Sequence, residues 1–311
     1  MDTHRKWDAS DGPLYSQEVP RVSEKSFRVV SGAALGSLCV IVFTGALVRL
    51  TGSGLGCDDW PRCNEARFVD VSSGHTLIEQ ANRLFTGVVS ASVIAAVLLA
   101  HLRSPRRRDL VILAWSLVAG VLVQIVIGGL VVLTGLNPYA NMAHFLVSLV
   151  LIGSALMLYR RAAVDVSDAW FRSLPSSVRP FQLSLVFFAV IALVTGTVVT
   201  ATGPHAGSED AIRFGFDLVS VARIHSLSVL TTVALLVVLL WKTRRGMDLD
   251  YKESLNALAF VAVAQASVGY LQYFTGVPVV LVAAHIVGAV SFFIAVLNTF
   301  FVPLPRTIGT S

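Results

Sequence analysis

Charged residues are scarce in this chain. Of its 311 residues, 14% are Asp, Glu, Lys or Arg, whereas 55% are hydrophobic, and the mean hydropathy is +0.73. A soluble globular domain carries about 25% charged residues, so this composition excludes that class of protein. It indicates an integral membrane protein whose partner is the lipid bilayer.

Cysteine is also scarce, with three residues in the whole chain. Cys39 lies inside an apolar run, where it is most simply a small packing residue. Cys57 and Cys63 share one loop and are close enough to bridge, and two unpaired thiols are the alternative. No histidine or second cysteine pair sits near these two residues, which argues against a metal site there.

The first 26 residues lack the apolar core of a signal peptide. They carry acidic and basic residues and two prolines, so we expect a polar tail rather than a cleaved leader. Eight apolar runs follow, and each approaches or exceeds the roughly 20 residues that a membrane-spanning helix needs. The runs cover residues 28–50, 77–101, 110–133, 141–159, 181–201, 218–241, 255–274 and 279–302.

The basic residues predict how these runs are oriented. Six of the 24 Lys and Arg residues lie in or beside the loops on one side: Arg49, Arg62, Arg67, Arg83, Arg213 and Arg223. The other eighteen lie on the opposite side, which the positive-inside rule makes cytoplasmic, together with both termini. The net charge of +5 then reflects topology, and no nucleic-acid partner is expected. The cysteine loop faces outward, where disulfides persist.

Two stretches of the chain repeat each other at a spacing of 141 residues. Four positions are shared: Gln124 with Gln265, Thr134 with Thr275, Gly135 with Gly276, and His144 with His285. A solenoid repeats every 20 to 50 residues or so, which excludes that class and indicates a duplicated unit. Each unit holds four crossings, an even number, so the two copies are expected to be parallel repeats about an axis along the membrane normal.

The sequence therefore predicts an all-α integral membrane protein with eight transmembrane helices in two four-helix bundles. The expected segments are a cytoplasmic tail (1–26), an N-terminal half (27–160), a cytoplasmic linker (161–180), a C-terminal half (181–303) and a second cytoplasmic tail (304–311). The expected location is the plasma membrane.

Four polar side chains lie in the first turns of even-numbered runs, at similar depth toward the outer face. They are Asn82, His144, His225 and His285, and alignment of the halves places Asn82 opposite His225. Two imidazoles at matching height in one bundle suit the two faces of an iron porphyrin. Hydrogen bonds between helices are the alternative. Because Asn82 is a poor iron ligand, a porphyrin in the first half is expected to keep one weakly occupied or open face.

Glu79 begins the second run, one turn from Asn82 and on the same helix face. A carboxylate so close to hydrocarbon is costly and usually marks function. The alternative is a helix cap that the macrodipole favours. His205, in a loop of the second half, is either a loop contact or a donor to a carboxylate.

The chain resembles the heme A synthases from Thr44 to about Thr299. The resemblance rests on these motifs: Arg49 through Cys57 (RLTGSGLGC), Asp59-Trp60-Pro61 with Cys63, Glu79 with Asn82-Arg83, Gly128-Gly129 through Thr134-Gly135 to His144, Thr202 through Gly207 (TGPHAG), His225 and His285. It implies eight helices in two halves and an enzyme that oxidises the C8 methyl group of heme O to the formyl group of heme A for terminal oxidases.

The resemblance also implies a role for each site residue. His225 and His285 match the axial ligands of heme b, His144 matches a ligand of the substrate heme, Glu79 matches the catalytic carboxylate, and Cys57 with Cys63 matches a disulfide. Asn82 stands where many members have histidine. Glu79 is expected to act as a base or to stabilise positive charge on the reacting carbon. Arg83 and Arg223 are candidates for contacts with the heme propionates.

Two other functions fit the same pattern. A diheme b-type subunit that oxidises quinol would hold both hemes permanently, and a transporter would also show parallel repeats with polar residues in its helices. The polar residues near the helix ends argue against the transporter. A membrane electron acceptor and, as a partner, a heme O synthase are expected for the synthase.

Overall fold

A computed structural model describes residues 22–164 and 169–301. Within these two ranges the chain forms eight α-helices: α1 (Glu24–Leu50), α2 (Gly74–Leu102), α3 (Arg108–Leu133), α4 (Pro138–Arg161), α5 (Arg179–Thr202), α6 (Leu218–Thr243), α7 (Leu249–Phe274) and α8 (Val279–Asn298). All eight are long and apolar enough to cross a membrane. The predicted all-α fold with eight transmembrane helices is confirmed.

Helix starts extend beyond the apolar runs where polar residues cap them. Ser73 accepts a hydrogen bond from the backbone N–H of Thr76 and forms a capping box with it, so α2 begins at Gly74 rather than at residue 77. Asp248 accepts from the N–H of Tyr251 and starts α7 before its apolar run. One helix end also differs from its apolar run: α8 ends at Asn298 rather than at residue 302.

The helices pack as two rings of four. In the first half α1 contacts α2 and α4, and α3 contacts α2 and α4; in the second half α5 to α8 make the corresponding contacts. The halves meet where α8 packs on α1 and α4, and where α4 packs on α5. The parallel relation of the halves and the cytoplasmic position of the termini stay predictions. Most of both predicted tails and residues 165–168 of the linker lie outside the described residues.

Each half has its own apolar core, and the outer surface is apolar as well. Leu117 and Ile152 are fully buried in the first half, and Leu185 and Leu258 are fully buried in the second. Large apolar side chains also point outward, as the 76% exposed fraction of Phe260 illustrates. Because lipid tails replace water around a membrane protein, these outward side chains are solvated by hydrocarbon.

The loops gather at two ends of the helices. We call the end with loops 51–73, 134–137, 203–217 and 275–278 the disulfide end, and the other end the basic end. At the disulfide end the two halves are joined, because the N–H of Gly54 donates to the carbonyl of Gly207 at 2.8 Å. At the basic end Asp109 binds both Arg107 (2.6 Å) and Arg161 (3.1 Å).

Candidate functional site

One cavity of about 840 Å³ is lined by side chains from all eight helices. Its walls include the five side chains that the sequence predicts to form the site: Glu79, Asn82, His144, His225 and His285. Residues of both halves line this one cavity, among them Gly45 of α1 in the first half and Ala192 of α5 and Gln265 of α7 in the second. The structure thus brings the predicted residues of both halves to one internal space.

The two histidines of the second half face each other. The ring centroids of His225 and His285 are 6.4 Å apart, with an interplanar angle of 86°. Thr195, on α5, places its hydroxyl 3.2 Å from Nδ1 of His225. Each ring also rests on a glycine of the preceding helix, because a Cβ on Gly196 or Gly269 would lie 3.1 or 3.0 Å from the respective Cε1 atom.

The first half repeats this arrangement with one different side chain. His144 rests on Gly128 of α3, where a Cβ would lie 3.4 Å from Cε1 of the ring. Asn82 takes the place of the second imidazole, and its Oδ1 accepts a hydrogen bond of 2.8 Å from the hydroxyl of Thr44. The first half therefore offers one imidazole and one amide to the cavity.

Two glutamines hold the histidine helices in place. Gln124 donates through Nε2 to the carbonyl of His144 (3.0 Å), and Gln265 donates to the carbonyl of His285 (2.8 Å). Nδ1 of both histidines and Oε1 of both glutamines are buried without a hydrogen-bond partner among residues 22–164 and 169–301. The sequence repeat contains these glutamines, but only the structure shows which group each one binds.

The histidine pair fits an iron porphyrin. A metal–imidazole bond is about 2 Å long and the nitrogen lies about 1 Å from the ring centre, so imidazoles on opposite sides of one metal have centroids about 6 Å apart. The observed 6.4 Å between His225 and His285 agrees with this separation. Among the described residues, no cluster of three or more His, Cys, Asp and Glu side chains suits a bare metal ion. A porphyrin supplies four donors of its own, so two imidazoles complete its iron.

Glu79 is buried, and both of its carboxylate oxygens accept hydrogen bonds. Its exposed fraction is 5%, Oε1 accepts from Arg83 at 2.6 and 3.0 Å, and Oε2 accepts from the backbone N–H of Cys57 at 2.8 Å. Ser73 caps α2, so Glu79 is not a helix cap. Because a carboxylate in hydrocarbon needs a charged partner, Arg83 stabilises it directly.

The loop next to Glu79 is fixed by several contacts. Cys57 and Cys63 form a disulfide, as the resemblance implied, and both are fully buried. Arg83 donates to the carbonyls of Asp59 and Arg62, each at 3.0 Å. Trp60 covers Gly129 of α3, where a Cβ would lie 2.9 Å from the indole.

Asp70 closes the same loop. Its carboxylate accepts hydrogen bonds from the N–H of Ser72 (3.0 Å) and from the amide of Asn64 (2.9 Å), and it pairs with Arg67 at 3.3 Å. The bonds from Ser72, followed by the Asn64 bond and the charge of Arg67, lower the pKa of Asp70 from its usual value. These contacts tie Asn64, Arg67 and Ser72 of the loop to one carboxylate.

The remaining predicted polar residues have separate places. Arg223 lines the cavity and is exposed. His205 donates through Nε2 to the carbonyl of Val277 (2.8 Å), which joins two loops at the disulfide end. Arg49, on α1, lines the cavity and donates to the carbonyl of Thr200 on α5 at 2.6 Å, which links the two halves. Neither the spacing nor the type of these two residues predicts this link.

By its fold and its site, this is a multi-pass membrane protein in which histidines from both four-helix halves line one shared cavity. A family model described as cytochrome oxidase assembly protein (COX15-CtaA) matches residues 28–73 and 68–297. The chain belongs to this family.

Relatives with the name heme A synthase are similar over most of the chain. That of Listeria monocytogenes is 30% identical over 285 residues, which cover 84% of this chain and 90% of the relative. That of Listeria welshimeri is 30% identical over 281 residues with the same coverage. That of Bacillus pumilus is 32% identical over 184 residues, 58% of each chain.

Proposed function

We propose that this protein is a heme A synthase that oxidises the C8 methyl group of heme O to the formyl group of heme A. Family membership and the names of the relatives support this function. The structural observation that carries it is a shared cavity with two unlike sites, a histidine pair in the second half and His144 with Asn82 in the first.

The second-half site would hold a permanent heme b between His225 and His285. The fit between the ring separation and two axial imidazoles supports this assignment. Heme b, when bound, supplies a group that accepts electrons and relays them to a membrane electron acceptor. Thr195 and Gln265 orient the two histidines through the hydroxyl contact to one ring and the hydrogen bond to the other helix.

The first-half site would hold heme O as substrate through His144. A single imidazole permits the exchange of substrate and product more readily than a pair, because breaking one iron–nitrogen bond releases the porphyrin. The methyl group would be oxidised in two successive steps, each of which adds one water molecule and removes two protons and two electrons, so that an alcohol forms first and then a hydrated aldehyde that loses water. The four electrons would go to the membrane electron acceptor. Arg223, at the cavity wall, is the proposed partner of a propionate. Arg83 is the weaker candidate, since Glu79 and the loop carbonyls already hold it.

Glu79 is the proposed catalytic carboxylate. It lines the same cavity as His144, and Arg83 pairs with it at 2.6 Å in a buried place. A negative charge there stabilises positive charge that develops on the methyl carbon, and an oxygen lone pair can receive a proton. By the positive-inside rule this layer faces the outer side of the plasma membrane.

Pigment extraction tests the function. The full chain is produced in a host that makes heme O but has no heme A synthase of its own, and the pigments of membranes and purified protein are separated by chromatography. Heme A in the membranes and heme b with heme O or A in the protein are expected. Heme b alone would identify a diheme b-type cytochrome, and a colourless protein would indicate a transporter. A heme O synthase that copurifies would reveal the expected partner.

A further inference from the structure

The two halves differ at one pair of equivalent contacts. In the second half the Thr195 hydroxyl lies 3.2 Å from Nδ1 of His225, and in the first half the Thr44 hydroxyl donates to Oδ1 of Asn82 at 2.8 Å. The threonines occupy the same place in α1 and α5, each followed by a glycine. The halves thus share a scaffold and differ in the side chain that it presents.

Asn82 cannot replace the imidazole as an iron ligand. Its carbonyl oxygen, which already accepts a hydrogen bond from the Thr44 hydroxyl, is a much weaker donor to iron than an imidazole nitrogen, and the lone pair of its amide nitrogen is delocalised and binds metals poorly. The amide is also shorter than the ring. A Cβ on Gly45 would lie 3.9 Å from Oδ1 of Asn82, whereas a Cβ on Gly196 would lie 3.1 Å from the His225 ring. The amide of Asn82 therefore lies farther from the glycine of its neighbouring helix than the ring of His225 does.

The other polar group of the Asn82 side chain, the Nδ2 amide, is a hydrogen-bond donor. The structure gives Nδ2 no hydrogen bond to any described residue, and Asn82 lines the cavity. Glu79 lies one turn away but is paired with Arg83, so the nearest charges compensate each other. A neutral donor beside a porphyrin face suits a small uncharged ligand, because the polarity and space on that side decide what the iron binds.

We propose that the first half is a binding site for a small diatomic gas at the porphyrin iron, between His144 and the Asn82 amide, and that the second half lacks one. This inference rests on the proposed binding of heme by His144. It assigns to Asn82 the role of keeping one iron face open and of donating a hydrogen bond to the gas ligand. At the equivalent place in the second half, the imidazole of His225 takes the iron face that a gas ligand would need.

Carbon monoxide is the probe that tests this. Heme O is added to the purified full-length protein until the absorbance change that His144→Ala lacks reaches saturation. The sample is then reduced and titrated with carbon monoxide. The expected spectral change belongs to the heme O fraction, and the heme b bands stay unchanged. Asn82→His should lose more than about nine-tenths of the change while the extracted heme content is kept, because a second imidazole then occupies the face. His225→Asn, which leaves His285 as the single imidazole of the second half, is the matched control: any heme b that this variant retains should respond to carbon monoxide.

The outcomes separate this inference from the proposed function. Heme O that binds through His144 but does not respond to carbon monoxide would overturn the open site, whether or not heme A is formed. An undiminished response in Asn82→His would also overturn it. If His144→Ala changes no absorbance, the substrate site is wrong and this inference fails with it. If His225→Asn loses heme b, Asn82→His alone decides the question.

Discussion

Gly269 lies directly against the imidazole of His285, so that a Cβ on the glycine would stand 3.0 Å from Cε1 of the ring. Gly196 and His225 repeat the contact at 3.1 Å. In both pairs the glycine belongs to the helix before the one that carries the histidine. The position of each imidazole is therefore set by the surface of a neighbouring helix, which a side chain would disturb.

Gly269→Ala should lower the heme b content of the purified protein. The added methyl group forces the His285 ring to shift by several tenths of an ångström, which misplaces an axial ligand. A glycine-to-alanine change inside a helix otherwise gains about 1 kcal/mol. Gly87→Ala provides that gain without a neighbour within 4 Å, so it is the matched control. Equal ratios of heme b to protein in both variants would show that the contact does not position the ring.

Two variants of Glu79 separate catalysis from loop anchoring. Glu79→Gln keeps an oxygen that can accept the Cys57 N–H but removes the charge paired with Arg83, whereas Glu79→Ala removes both. Both should retain heme b and slow the conversion of heme O by about 10²-fold or more, the usual range for a lost general base. Heme A yield by chromatography and limited proteolysis of loop 51–73 are the measurements. Activity lost only in Glu79→Ala, together with a cleavable loop, would reduce Glu79 to an anchor.

The histidines of the two halves should act on different pigments. His225→Ala should lose heme b because one of its two imidazoles is gone, and His144→Ala should keep heme b but lose the heme O fraction. Each variant is the control for the other, since the cavity and both glycine contacts remain in the unaltered half. Optical spectra and extracted pigments decide the outcome. Loss of heme b from His144→Ala alone would reverse the assignment of the halves.

The sequence predicted the helices well because long apolar runs between polar loops depend on local composition. It also placed Asn82, His144, His225 and His285 near helix starts, and the cavity contains all four. It did not predict that Glu79 accepts a hydrogen bond from the Cys57 N–H, nor that Arg49 binds the Thr200 carbonyl. These contacts join elements far apart in the chain, and neither periodicity nor spacing contains that information.

The repeated glutamines should act each on its own half. Gln265→Ala removes the hydrogen bond to the His285 carbonyl, a loss of about 1 kcal/mol. It should increase the loss of heme b in detergent without affecting heme O binding. Gln124→Ala, which removes the bonds to the His144 carbonyl and to Ser148, should do the opposite. Pigment retained after washing is the measurement. Equal loss of both pigments in either variant would mean that the glutamines support the whole bundle instead.

The disulfide should matter for the first half and much less for the second. It closes a loop whose residues cover Gly129 through Trp60 and bind Arg83 through backbone carbonyls. In the chain-entropy account, opening a loop this short costs about 2 kcal/mol of stability. Cys57→Ser with Cys63→Ser should therefore lower the Tm and the yield of heme A, since Glu79 loses the ordered Cys57 N–H, while heme b bound in the other half is retained. Cys39→Ser, at the cysteine outside the disulfide, is the control and should change neither quantity. Heme b that dissociates from the double variant at the same rate as heme O would show that the loop holds both halves together.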